Sequence, residues 1–115
     1  MEQEVAPFGI EFTRAEPGPT PTNFAAGLDM APALPDYADT PSGAVRRAIA
    51  DGSFRLSGDP DRMAALMIDA AGESPAPRRI TLGSHAYRSV HAALIERLAR
   101  LEAQEALARS ADLPG

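Results

Sequence analysis

The run Glu16-Pro17-Gly18-Pro19-Thr20-Pro21-Thr22-Asn23 sets the strongest limit on how this chain folds. Its three prolines lack an amide donor and hold φ near about −65°, so neither a helix nor a central strand continues through it. Just upstream, Gly9 to Ala15 alternates, with Ile10 and Phe12 on one face and Glu11 and Thr13 on the other. That is the pattern of a strand, and the proline run marks its end. Further upstream, Glu2 to Ala6 are mostly helix formers with no capping residue before them, and Pro7 and Gly9 follow. They read as the last turns of a helix, as though more sequence preceded Met1.

Beyond the prolines, residues 25 to 40 show no period and carry Gly27, Pro32 and Pro35 among apolar Leu28, Met30 and Leu34. They suggest a segment that covers a ligand, with an ordinary surface loop as the plain alternative. Thr40-Pro41 has the form of an N-cap followed by proline at the first helical position, which predicts a helix to about Asp51. Asp59-Pro60 repeats that signal, and Met63, Leu66, Met67 and Ala70 then recur at helical spacing until Gly72. Arg79 to Gly83 is short and strand-like. From Ser84 to about Arg109 a long helix is expected, with Tyr87, Val90, Leu94, Leu98 and Leu101 as its apolar stripe.

Strand, crossover helices, strand and final helix form an α/β order that predicts two parallel strands joined in the right-handed sense. Two parallel strands make a poor sheet alone, because such sheets are normally covered on both faces. A compact chain of 115 residues would bury roughly 65% of its unfolded surface.

Composition removes several chemistries. All 11 basic residues are arginine, so no Schiff base and no phosphate-loop lysine is available. Without cysteine there is no thiolate nucleophile, disulfide or cysteine-ligated metal. His85 and His91 are six apart, unlike the four-residue spacing of a zinc-binding helix, so no metal site is expected. A net charge of −5 with dispersed arginines argues against a nucleic-acid surface. No run approaches the ~20 apolar residues of a membrane span, and no secretory signal is visible, so a cytoplasmic protein is expected.

At Glu4-Val5-Ala6-Pro7-Phe8-Gly9-Ile10, followed by Glu16-Pro17-Gly18-Pro19 and Thr22-Asn23-Phe24, the chain resembles the C-terminal part of a short-chain dehydrogenase/reductase. The helix start at Asp59-Pro60, the strand ending Leu82-Gly83 and the final helix resemble that family's layout too. The resemblance implies the C-terminal part of a Rossmann-type doubly wound sheet: two parallel strands, crossover helices and a long C-terminal helix. It divides one partial domain into a helix end, strand and Pro-Gly loop (1–24), a substrate-covering loop and helix (25–58), a helix and last strand (59–83) and the C-terminal helix (84–109). It also implies an oxidoreductase using NAD or NADP. By resemblance Thr22 hydrogen-bonds the nicotinamide carboxamide, while Pro17 and Gly18 bring backbone close to the ring.

The family's glycine-rich dinucleotide turn and its Tyr-x-x-x-Lys pair have no counterpart. Tyr37 is followed four places later by Pro41, and Tyr87 by His91. No catalytic residue is therefore assigned, and the expectation is a truncated segment inactive by itself. The alternative is a non-catalytic interaction module that dimerises or docks on a full-length relative through its open sheet edge and C-terminal helix. The stripe of that helix spans only about two heptads, so packing on its own sheet competes with a dimer through it.

Overall fold

The structure, a computed structural model, describes residues 1–115. It contains two strands, β1 (Arg14–Pro17) and β2 (Arg79–Leu82), and five α-helices. These are α1 (Glu2–Val5), α2 (Pro41–Ala50), α3 (Pro60–Ala71), α4 (Ser84–Glu102) and α5 (Glu105–Arg109). The strands pair in parallel, Arg14 opposite Arg79 through Pro17 opposite Leu82. With the crossover helices between them, this is the expected partial Rossmann-like α/β arrangement.

Local signals placed α2 and α3 closely. Thr40 caps α2 by accepting from the Gly43 amide at 3.3 Å. Asp59 caps α3 by accepting from the amides of Asp61 and Arg62 at 3.0 and 3.2 Å. Asp59 thus serves the helix N-terminus, as its position suggested. The N-terminal helix ends at Val5, one turn of 3₁₀ helix continues over Ala6–Phe8, and Gly9 closes it at φ 72°. Residues 25 to 40 hold two further 3₁₀ turns, Ala25–Gly27 and Pro35–Tyr37.

Three expectations need correcting. The first strand starts at Arg14, not Gly9, so Ile10 and Phe12 precede it and stay exposed. Alternation marks residues able to form a strand; pairing with β2 decides which ones do. The Arg14 amide bonds the Arg78 carbonyl at 3.0 Å and the Gly18 amide bonds the Leu82 carbonyl at 2.8 Å. Residues 14, 16 and 18 therefore face β2, and the missing amide of Pro17 faces away from it, where it removes no ladder bond.

The long C-terminal helix is also broken. α4 stops at Glu102, its end tightens through a bond from the Gln104 amide to Leu101, and α5 restarts at Glu105. Nor does α4 pack along its own sheet. Tyr87, Leu94, Leu98 and Leu101 are 61, 61, 55 and 65% exposed, and only Ala86 in its first turn is buried. A 19-residue helix is about 28 Å long, whereas two strands of four residues give a sheet only about 13 Å long and about 10 Å wide. The sheet ends long before the helix does.

The buried set is correspondingly small: Met63, Ala70, Leu82, Ala86 and Gly43. Met63, Leu82 and Ala86 lie where the start of α3, the end of β2 and the start of α4 meet, and Ala70 is buried near the other end of α3. Burying Met63 and Leu82 contributes about 1.5–3 kcal/mol each. The accessible surface is 9924 Å², against about 6,000 Å² for a compact chain of this mass. The radius of gyration is 20.2 Å rather than about 13 Å. The roughly 65% burial of a compact domain is not reached, because most apolar faces have nothing packed on them.

Candidate functional site

The proline run leaves β1 at its C-terminal end, and a cleft of about 790 Å³ opens there. Pro17, Gly18 and Thr22 all line it. One wall comes from the first half of α4, including His85, Ala86, Ser89 and Val90. The opposite wall is apolar, made of Phe24, Leu28, Ile49, Phe54 and Leu56. From the segment expected to cover a ligand, Ala25 and Leu28 line this cleft, whereas Pro32 to Asp39 do not.

Each of the three residues has a geometric reason for its place. Gly18 is held to β2 by its bond to the Leu82 carbonyl. A Cβ added there would lie 3.3 Å from the Ala86 amide nitrogen and 3.5 Å from the Ala86 Cβ. The close approach of strand end to helix start thus favours glycine. Pro17 ends the strand opposite Leu82. The Thr22 hydroxyl accepts from the Phe24 amide at 3.3 Å, which starts the 3₁₀ turn of the apolar wall and leaves the hydroxyl proton free to donate.

Sequence reasoning missed what holds the cleft's base. The Thr20 hydroxyl donates to the Gly18 carbonyl at 2.7 Å and lies 3.4 Å from the Met63 sulfur. The Gly58 amide donates to the Pro19 carbonyl at 2.9 Å. A Cβ on Gly58 would meet the Met63 methyl at 2.6 Å and the Thr20 hydroxyl at 2.8 Å. Gly83 begins α4 at φ 99°, a conformation that favours glycine, with the Met63 methyl 3.3 Å from its missing Cβ. The only sequence clue to this corner was a glycine directly before the Asp59 cap.

The polar groups of the cleft are few. Glu16 and Arg79 pair across the strands at 2.8 Å, with the Glu16 side chain partly buried. A pair this exposed contributes at most about 1 kcal/mol. His85 and Ser89 stand on the α4 wall, while Tyr87 stacks on His91 with ring centroids 5.7 Å apart. No group of three histidine, cysteine, aspartate or glutamate side chains is arranged to hold a metal ion. No helix is long and apolar enough to cross a membrane. Neither Tyr37 nor Tyr87 lines this cleft.

No protein-family model and no curated protein matches the sequence. Among solved structures, a short-chain dehydrogenase from Streptomyces avermitilis is similar, with 29% sequence identity and a TM-score of 0.79. The likeness covers 97% of this chain and 40% of that one, so this chain spans well under half the length of its structural relative. Over nearly its whole length the chain is similar, in fold and in sequence, to a segment of a short-chain dehydrogenase.

Proposed function

We propose that this chain is the nicotinamide- and substrate-side segment of an NAD(P)-dependent short-chain dehydrogenase/reductase, and that it does not catalyse alone. The observation that carries this reading is the cleft, which gathers Pro17, Gly18 and Thr22 beneath one apolar wall in a fold similar to part of such an enzyme. The residues present fit the ring end of the cofactor. Thr22 has a hydroxyl proton to donate to a carboxamide oxygen, and Pro17 and Gly18 line the same cleft. Bound there, the cofactor supplies the hydride; this chain orients the ring and excludes water with Phe24, Leu28 and Phe54. The chain carries no lysine to acidify a tyrosine, and neither tyrosine lines the cleft, so the proton step has no provider here. A cytoplasmic location accompanies this reading.

The test is a titration of the purified chain with NADH and NADPH, followed by cofactor fluorescence, beside an oxidoreductase assay. Weak binding that Thr22→Ala reduces further, with no turnover, supports the reading. Turnover above that of Thr22→Ala overturns the inactivity, and binding indifferent to Thr22→Ala overturns the site.

A second reading, a module that dimerises or docks on a full-length relative, is favoured by the surface excess over a compact chain. The open edges of the two-stranded sheet and the bare stripe of α4 are the surfaces it would use. Light scattering decides: a monodisperse monomer with cooperative unfolding rules it out.

A further inference from the structure

A second cleft, of about 450 Å³, lies apart from the first, between α2 and the loop that precedes it. Pro32, Leu34 and Tyr37 give it an apolar lining, and Ser42, Arg46 and Arg47 of α2 form its polar side. The two guanidinium groups are fixed at opposite ends of the loop: Arg46 donates to the Ala31 carbonyl and Arg47 to the Ala38 carbonyl. Each spends one of its five N–H donors in this way and keeps the rest. Neither is in an ion pair, since the ion pairs of the molecule all lie elsewhere. Asp36 and Asp39, acids carried by the same loop, form no ion pair with them.

The arch is built rather than incidental. A Cβ on Gly43 would lie 2.3 Å from the Ala38 carbonyl oxygen and 2.4 Å from that of Tyr37, so only glycine lets the loop seat on α2. The Thr40 hydroxyl donates to the Tyr37 carbonyl at 2.7 Å while its oxygen caps the helix. Loop, cap and both arginines therefore hold one geometry, with two arginines outside any ion pair beside an apolar slot.

We propose that this cleft binds a small apolar carboxylate. The carboxylate meets the free guanidinium donors of Arg46 and Arg47, and the hydrocarbon part lies against Pro32, Leu34 and Tyr37. A bare inorganic anion leaves the apolar lining wet, and a neutral apolar molecule leaves the charges unused. The site shares no lining residue with the cleft around Pro17 and Gly18, so it stands or falls independently of the nicotinamide reading.

The test is calorimetric titration of the full chain with sodium octanoate, with 1-octanol and inorganic phosphate as separate arms. Octanoate is expected to bind saturably at one site, with octanol and phosphate each at least about tenfold weaker. The Arg46→Gln/Arg47→Gln double variant is expected to lose about tenfold in octanoate affinity. Should that variant misfold by circular dichroism, the salt dependence of the unaltered chain takes its place: octanoate binding weakens as sodium chloride rises while octanol binding does not. Absence of saturable octanoate binding overturns the proposal. So does equal affinity for octanol, or octanoate affinity that neither the double variant nor salt reduces.

Discussion

Two helices of this molecule, α3 and α4, reach stability by different routes. The shorter, α3, has 12 residues, a side-chain cap that satisfies two amides, and Met63 and Ala70 buried against β2 and the strand-end loop. The longer, α4, has 19 residues, a glycine start with no side-chain cap, and a single buried residue. What supports α4 beyond its first turn is internal: helix formers, the Glu96–Arg100 pair and the stacking of Tyr87 on His91. An apolar stripe tells which face of a helix needs a partner, not whether this chain contains one.

That contrast can be broken by substitution. The largest effect is expected from Met63→Ala, which empties the corner where Gly58, Thr20 and Gly83 converge. A loss of about 2–4 kcal/mol in urea unfolding followed by circular dichroism is expected. Leu98→Ala on α4 is expected to change it by less than about 0.5 kcal/mol. Comparable losses from the two would show that α4 is packed after all. Next comes Gly83→Ala, expected to cost about 1–3 kcal/mol because φ 99° is strained for any side chain and the Met63 methyl lies close.

Removing the α3 cap with Asp59→Ala is expected to cost about 1 kcal/mol, visible as a lower urea midpoint at unchanged slope. A neutral outcome would mean that burial alone orders α3. The smallest effect concerns Asp51, just past α2, whose carboxyl is held below its ordinary pKa by the Ser53 hydroxyl and then the Ser53 amide. Its folded pKa is depressed, so its contribution is present above the ordinary aspartate range and is lost as pH falls through the folded value. Asp51→Asn should therefore lower stability slightly at neutral pH, leave it unchanged at low pH, and so flatten the acid limb of a stability–pH curve. A loss at low pH as large as that at neutral pH would contradict this.

The parts legible in the sequence are those decided locally. Thr40-Pro41 and Asp59-Pro60 announced α2 and α3 because a cap is made by residues two or three apart. Gly72 announced the end of α3 for the same reason. The start of β1 was misplaced, since its partner lies over sixty residues away and Ile10 and Phe12 look as strand-like as any neighbour. In the site, Pro17, Gly18 and Thr22 stood out only through family resemblance. Phe24, Ile49 and Phe54 come from stretches with no common period, and nothing before the fold joined them into one wall. The break after α4 carries neither glycine nor proline, and no local residue explains it.

The bond between the Gly58 amide and the Pro19 carbonyl has a consequence for how such a chain evolves. It brings the two ends of residues 20–57 together, so this stretch is an excursion that leaves the strand end and returns to the same point. Changing its length alters closure entropy only logarithmically and leaves the register of β1 on β2 untouched. Both clefts draw walls from it. The stretch therefore behaves as an exchangeable cassette, in which insertion, deletion or recombination revises what the molecule holds while the strand pair and α3 stay as they are.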